Sequence, residues 1–272
     1  MFHRTQLIFL LTSDALQVAR IQPDRQTILK ESEFKFESTG LAGALEQAKN
    51  QFGHGARLII PEEYIYVTRL ELQTSKIQLR SKIEKEIERV FPETIGTLAW
   101  DYQIIGTSNE RMTVELSGIT SDFAEILQTA LSTSKYRFEA IIPESYALAR
   151  LLLGQKNTLV VHERLGGWIL ILAQDQWVVA ALFQPFLPTM TDIQNLIDFG
   201  KERKQFIPDQ IVFSVQKNSR EYLPQSPYPQ VVLDEPFHVM FGAARLSLGQ
   251  SDSQRLDLPL RGKHRSWWHR LF

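Results

Sequence analysis

The 272-residue sequence predicts an α/β protein of two related lobes, each opening on three strands and continuing into helices. Two observations carry this expectation. Short apolar runs separated by polar turns start both halves of the chain, at residues 7–36 and 158–184. Each group then gives way to segments whose apolar residues recur at helical spacing. The polar stretch Gly154-Gln155-Lys156-Asn157 separates the halves, so the first lobe spans 1–153 and the second 154–250, with a tail over 251–272.

The elements follow in order. Leu7–Leu11, Leu16–Ile21 and Ile28–Phe36 read as strands, joined by Thr12-Ser13-Asp14 and Pro23-Asp24-Arg25. Leu41, Ala44, Leu45, Ala48 and Phe52 share one helical face, and Gly53 stops that helix. Strands are expected at Arg57–Ile60 and at Tyr64–Leu72, where Tyr64 and Tyr66 alternate with Ile65 and Val67. Ser75 to Phe91 is an amphipathic helix with Leu79, Ile83, Ile87 and Val90 as its buried stripe, ended by Pro92. After strands at Ala99–Ile105 and Arg111–Ser117, a helix buries Phe123, Ile126, Leu127, Ala130 and Leu131. Phe138–Ile142 is a strand, and Pro143 opens a helix to about Leu153.

In the second half the strands are Thr158–His162, Trp168–Ala173, Trp177–Gln184 and Gln210–Val215, with a helix over Thr191–Gln205. Asn218–Gln230, with three prolines, reads as loop. A final helix runs from Pro236 to Leu248 with Gly249 beyond it. A single helix between Gln184 and Gln210 makes the second lobe the smaller one.

Composition narrows the function classes. The absence of cysteine removes disulfides, thiol catalysis and cysteine-bound zinc. Thirty Lys and Arg balance 31 Asp and Glu, so no global field draws nucleic acid. His3, His54, His238, His264 and His269 show no metal-ligand spacing, and no Walker A, G-x-S-x-G or G-x-G-x-x-G motif occurs. The most apolar region, Trp168–Leu187, is interrupted by Gln174-Asp175-Gln176, which suits two strands better than a membrane span of about 20 apolar residues. No signal peptide is evident at Met1–Leu11, so a soluble, cytoplasmic protein is expected.

Three segments resemble one family. Leu79-Arg80-Ser81-Lys82-Ile83-Glu84-Lys85-Glu86-Ile87-Glu88-Arg89-Val90-Phe91-Pro92-Glu93, leading to Asp101-Tyr102-Gln103, is similar to a helix and "D-Y-Q" strand of the type IV pilus assembly protein PilM. Phe138-Glu139-Ala140-Ile141-Ile142-Pro143-Glu144-Ser145-Tyr146-Ala147-Leu148-Ala149-Arg150 resembles that family's strand and helix "vvDvesfAlaR". Phe241-Gly242-Ala243-Ala244-Arg245 is similar to its final "GLALR" helix. The cytoplasmic domain of the type II secretion protein GspL is a related resemblance. The resemblance implies a two-lobed actin-like (Hsp70/actin/sugar kinase) fold with duplicated lobes, the second reduced, and a PilM-type subdomain inserted at about 57–117. It also implies a PilN-like inner-membrane protein as partner, together with other pilus platform or motor components.

This sequence departs from the family of ATPases where they hold phosphate. The first Asp-x-Gly turn falls on Leu10-Leu11-Thr12, and the Lys or Gln of the next strand on Gln17. The second turn falls on His162-Glu163-Arg164, and the adenosine-side Gly-Gly on Ser214-Val215-Gln216-Lys217. Without glycine, Cβ atoms take the space a phosphate needs, and without Asp no hard oxygen holds Mg²⁺. The degenerate turns at Leu10, Thr12, His162 and Arg164 therefore predict no catalysis, no cofactor and no metal. His162-Glu163-Arg164 reads as a polar strand end rather than a catalytic cluster.

Lys82 and Arg89, on the charged face of the Ser75–Phe91 helix, are the candidate partner-binding residues. In the tail, Arg261, Lys263, Arg265 and Arg270 accompany Trp267 and Trp268 without an acid, leaving the other 260 residues at net −5. That pattern suits an anionic membrane surface or a partner's groove. The expected function is a non-catalytic cytoplasmic scaffold of a type IV pilus or related secretion assembly platform, peripheral to the inner membrane through its partners. Two alternatives stay open: an active ATPase with phosphate contacts relocated to Arg164 and Gly166, and a GspL-like domain continuing beyond Phe272 into a membrane span.

Overall fold

Continuous apolar runs bounded by turn residues become central strands, and alternating runs become strands at the margins. The computed structural model of the chain describes residues 5–23, 27–36, 40–91, 98–108, 111–152, 157–164, 166–174, 177–233 and 239–245. Strands β1 (Gln6–Leu11), β2 (Ala15–Gln22) and β3 (Thr27–Lys35) form an antiparallel meander, followed by helix α1 (Gly40–Phe52). Strand β4 (Ala56–Ile60), buried along its whole length, lies parallel to β1. A 3₁₀ turn, Glu62–Tyr64, leads into β5 (Ile65–Gln73), helix α2 (Leu79–Val90), β6 (Leu98–Ser108) and β7 (Arg111–Thr120). Helix α3 (Ser121–Ser134) and strand β8 (Phe138–Pro143), parallel to β4, complete a five-stranded sheet in the order β3-β2-β1-β4-β8.

After the short helix α4 (Glu144–Ala149) the same pattern recurs. Strands β9 (Asn157–Arg164), β10 (Gly167–Gln174) and β11 (Trp177–Gln184) are antiparallel neighbours, and helix α5 (Met190–Lys204) follows. Strand β12 (Gln210–Ser214) is parallel to β9, and β13 (Gln230–Val232) is parallel to β12. The order β11-β10-β9-β12-β13 repeats the first sheet's topology. Beyond β11 the sheet is extended to eight strands by β5, β7 and β6, joined through one register pair, Ala180 with Thr68.

Period-two alternation gives the second sheet two apolar faces. Leu159, Val161, Leu170, Leu172, Ile211 and Phe213 pack with Ile193 and Ile197 of α5. Val160, Ile169, Ile171 and Val212 face the other way, into a core shared with the first sheet. Between the sheets lie α4 and the last described helix, α6 (Val239–Arg245), which packs on β1, β2 and β4 as well as on α4. Helix α6 therefore returns to the first lobe, although its sequence position falls in the second. In the β5-β7-β6 segment, Leu70, Leu72, Met112, Val114 and Leu116 bury Leu79, Ile83 and Ile87 of α2.

Several expectations change in detail. Val90 is 36% exposed and Ile126 is 58% exposed, because each lies at the margin of its helix's apolar stripe; Phe91 and Ala124 are buried instead. Helix α2 begins at Leu79 because Ser75 to Gln78 form a turn closed by Gln78 N–H on Ser75 C=O. Helix α4 ends at Ala149, where the chain tightens into i→i+3 bonds from Leu151 to Leu148 and Leu152 to Ala149. Part of the expected Asn218–Gln230 loop is a 3₁₀ turn, Lys217–Tyr222, and β13 follows it. Residues 153–156, 236–238 and 246–272, which carry the expected hinge, the ends of the last helix and the tail, lie outside the described residues, as do 92–97 and 24–26. No described helix is long and apolar enough to cross a membrane.

Candidate functional site

In open α/β sheets, ligand sites form beyond the carboxyl ends of parallel strands. In this chain polar residues follow β1, β4 and β8 of one sheet within two positions, and β9 and β12 of the other end in Arg164 and Ser214. After β1 comes Thr12, 8% exposed. Its backbone N–H donates to Ala15 C=O at 2.9 Å, its hydroxyl donates to the same oxygen at 3.0 Å, and Ala15 N–H donates to the hydroxyl at 3.0 Å. The side chain thus closes the tight turn that its sequence position required. Leu10, two residues earlier, is half-buried in β1 opposite Gln17, and Gln17 spends its amide on Glu33 of β3 at 3.1 Å.

The ends of β4, β8 and β9 meet. Glu62 and Glu63 follow β4, Glu144 follows β8, and Arg164 ends β9 in the other lobe. Arg164 forms an ion pair with Glu63 and a second with Glu144, Nε to Oε2 at 3.6 Å, and its guanidinium lies 4.9 Å from the Phe183 ring centre. Glu62 Oε2 accepts the Ser145 backbone N–H at 3.0 Å. All four side chains are largely out of solvent, Glu144 at 2% and Arg164 at 10% exposed. Burial pushes the Glu62 carboxyl up to about 7 and that of Glu144 up to about 8, with the neighbouring Glu62 charge adding to the second shift. Loss of solvation likewise lowers Arg164, to about 10, against the pull of Glu62. Burial thus favours the protonated forms of Glu62 and Glu144 more than exposure would, which lowers the cost of placing several acids around one guanidinium.

His162 and Glu163, at the end of β9, also have partners. His162 Nδ1 lies 3.0 Å from Ser214 Oγ; burial lowers the imidazole to about 4, so it is neutral at physiological pH. Glu163 accepts Gln216 N–H and the Ser219 hydroxyl, each at 2.7 Å, and so holds the start of the Lys217–Tyr222 turn. The β9–β10 turn is fixed by Gly167: a Cβ there would lie 2.5 Å from Gln184 C=O and 2.6 Å from the Phe183 ring. Arg164, expected to face a phosphate if the chain bound one, faces carboxylates of its own chain.

A second polar cluster lies where β5 and β7 face α4. Glu115 stands opposite Arg69 across the two strands, and both Arg150 and the Tyr146 side chain bear on its charge. Burial lifts Glu115 to about 7 despite these groups. Arg69 Nη1 donates to Gln174 Oε1 of β10 at 2.9 Å, and Arg150 stacks 5.2 Å from the Trp177 ring centre. This cluster ties the segment 65–120 to the second lobe.

Lys82 and Arg89 sit elsewhere, on the solvent face of α2. Lys82 Nζ donates to Gln73 C=O at 2.6 Å, and Arg89, 72% exposed, pairs with Glu86 at 3.1 Å. The structure does not bring them to the strand ends. Arg261, Lys263, Arg265, Trp267, Trp268 and Arg270 lie outside the described residues. Sequence reasoning missed Glu62, Glu63, Glu115 and Glu144; the available signal was acids directly after the apolar strands ending at Ile60-Pro61 and Ile142-Pro143. Among the described residues no group of three His, Asp or Glu is arranged to hold a metal ion.

No family model and no curated protein match the chain. Solved structures do. The cytoplasmic domain of EpsL, an inner membrane component of the type II secretion system of Vibrio cholerae, superposes with a TM-score of 0.59 at 10% identity, over 93% of this chain and 100% of that one. A PilM–PilN type IV pilus biogenesis complex gives 0.62 at 10% identity, over 85% and 91%. A Bacteroides thetaiotaomicron protein of unknown function with an actin-like ATPase fold gives 0.54 at 13%, over 89% and 95%. The chain has the actin-like ATPase fold. Its twice-repeated strand order is that fold's duplication, and the resemblance read from residues 79–153 leads to the same structures. The ends of β1 and β9 carry Thr12 and Arg164, where the sequence has no Asp-x-Gly turn.

Proposed function

We propose that this protein is a non-catalytic scaffold of a type IV pilus or related secretion assembly at the inner membrane. In this reading it binds the cytoplasmic segment of a PilN-like membrane protein and works on the cytoplasmic side. The observation that carries the proposal is the occupancy of the strand ends by the chain's own side chains. A triphosphate at β9 would have to displace Glu63 and Glu144 from Arg164, and removing one partner of a buried ion pair costs about 3–5 kcal/mol. At β1 it would meet the Thr12 side chain and an amide already spent on Ala15. The likeness to an inner-membrane secretion component and to a PilM–PilN complex supports the assembly and the partner. The exposed charges of α2, Lys82 and Arg89, are the proposed docking face.

Calorimetry tests both halves. Titration with Mg-ATP is expected to give no binding, and titration with the cytoplasmic segment of the host's PilN-like protein is expected to give saturable binding. Micromolar affinity for Mg-ATP would overturn the non-catalytic reading. Failure of the PilN-like segment to bind, with no such protein recovered from host membranes, would overturn the partner.

A further inference from the structure

The ends of β4 and β8 in one lobe and of β9 in the other are brought together by a single cation. Arg164 comes from the second lobe; Glu63 and Glu144 come from two separate segments of the first. Another polar connection between the lobes, Arg69 with Gln174, lies at the far end of β10. The sheet passes from β11 to β5 through one register pair. The lobes also share an apolar core, to which Val160, Ile169, Ile171 and Val212 contribute from the second sheet, and the buried ion pair adds a directional contact that opposes separation of the strand ends. Buried ion pairs contribute little net stability and more to selecting one arrangement over its rivals. The close approach that Gly167 allows, with Gln184 C=O and Phe183 against the turn, seats Arg164 on the Phe183 ring and leaves its guanidinium aimed at the carboxylates.

We propose that Arg164, gripping Glu63 and Glu144, is a latch between the lobes that fixes how the ends of β4, β8 and β9 face one another without any ligand. Glu63 and Glu144 supply from within the chain the acidic partners that Arg164 would otherwise have to find in a ligand. The latch goes beyond the scaffold reading and does not depend on which partner the protein binds. It gives the protein one interlobe geometry, so that a surface drawn from both lobes is present at all times.

The cysteine-free chain permits a direct test by paired spin labels and pulsed electron resonance. Gln47→Cys on α1 and Asn195→Cys on α5 place exposed labels on opposite lobes, while Gln47→Cys with Thr129→Cys on α3 reports within the first lobe. The latched protein is expected to show one narrow interlobe distance, unchanged by millimolar Mg-ATP. Arg164→Ala should broaden that distribution about twofold and leave the intralobe distance alone, and Arg164→Lys should fall between. If Arg164→Ala does not fold, Glu63→Gln with Arg164→Gln carries the test, since it removes both charges and keeps the bulk. An interlobe distribution as narrow as the parent's in whichever variant folds would overturn the latch. Calorimetric titration of the same variants reads partner binding separately, so failure of the latch and failure of the scaffold reading give different results.

Discussion

Gly242 is the position at which one added methyl group should cost most. It lies in α6, over α4, where a Cβ would fall well inside contact with the Ala147 carbonyl oxygen and 2.7 Å from its carbonyl carbon. That is roughly 1 Å short of an ordinary carbon–carbon separation of ~3.5 Å. The obstacle is backbone of a fully buried helix, so it cannot swing aside as a side chain would. Helix α6 must lift away, and with it goes the bond from buried Arg57 Nη1 to Ala243 C=O, 2.6 Å long. Overpacking costs about 1–3 kcal/mol and a hydrogen bond to a charged group about 1.5–3 kcal/mol, so Gly242→Ala should lose roughly 3–5 kcal/mol. For a chain of this size that lowers Tm by about 10 °C. Thermal melting followed by circular dichroism, with urea titration, measures it. Gly106→Ala is the control, because its Cβ would meet only Thr113 at 3.6 Å, an ordinary contact. A Tm for Gly242→Ala within about 2 °C of the parent would refute the packing of α6 on α4.

Two further outcomes are expected. Stability should fall as pH rises from 6.5 to 8, since Glu62, Glu115 and Glu144 keep protons in the folded state that the unfolded chain has already lost. The three together amount to on the order of 3 kcal/mol in that window; His162 acts with the opposite sign, mainly below pH 6.5 and fading above it, Glu144→Gln should flatten the slope most, and a urea midpoint that stays level or rises would contradict the burial of these carboxyls. Reversing Lys82 and Arg89 together to Glu should change stability by less than about 1 kcal/mol, because both are exposed, yet weaken binding of a PilN-like segment at least about tenfold; unchanged affinity in a binding titration would remove α2 from the docking face.

Much of the fold is legible in the sequence because its signals are local. The runs Leu7–Leu11 and Trp177–Gln184 are short, apolar and bounded by polar turns, as strands are, and the stripe Leu79, Ile83, Ile87 recurs at the spacing of one helical face. The three-residue turn at Thr12-Ser13-Asp14 states its own geometry through the Thr12 hydroxyl, and the absence of glycine at Thr12 and Arg164 is read directly from the sequence. Apolar periodicity does not fix the edges of a stripe, which is why Val90 and Ile126 are exposed where burial was expected. A short strand such as β13 gains its pairing from β12 and carries almost no signal of its own.

Tertiary structure alone decided the site. Glu62, Glu63, Glu144 and Arg164 are separated by up to about a hundred residues, and each, read in its own neighbourhood, is a charged residue beside a turn that belongs in water. Parallel pairing of β1, β4 and β8, and the facing end of β9, carries them to one buried place where neither charge is tolerated unpaired. The same holds for Gly242, whose need for a bare backbone arises only because α6 returns across the chain to rest on α4. Periodicity records which face of an element is apolar; which two faces meet, and which charges meet with them, depends on contacts between distant segments that no local pattern encodes.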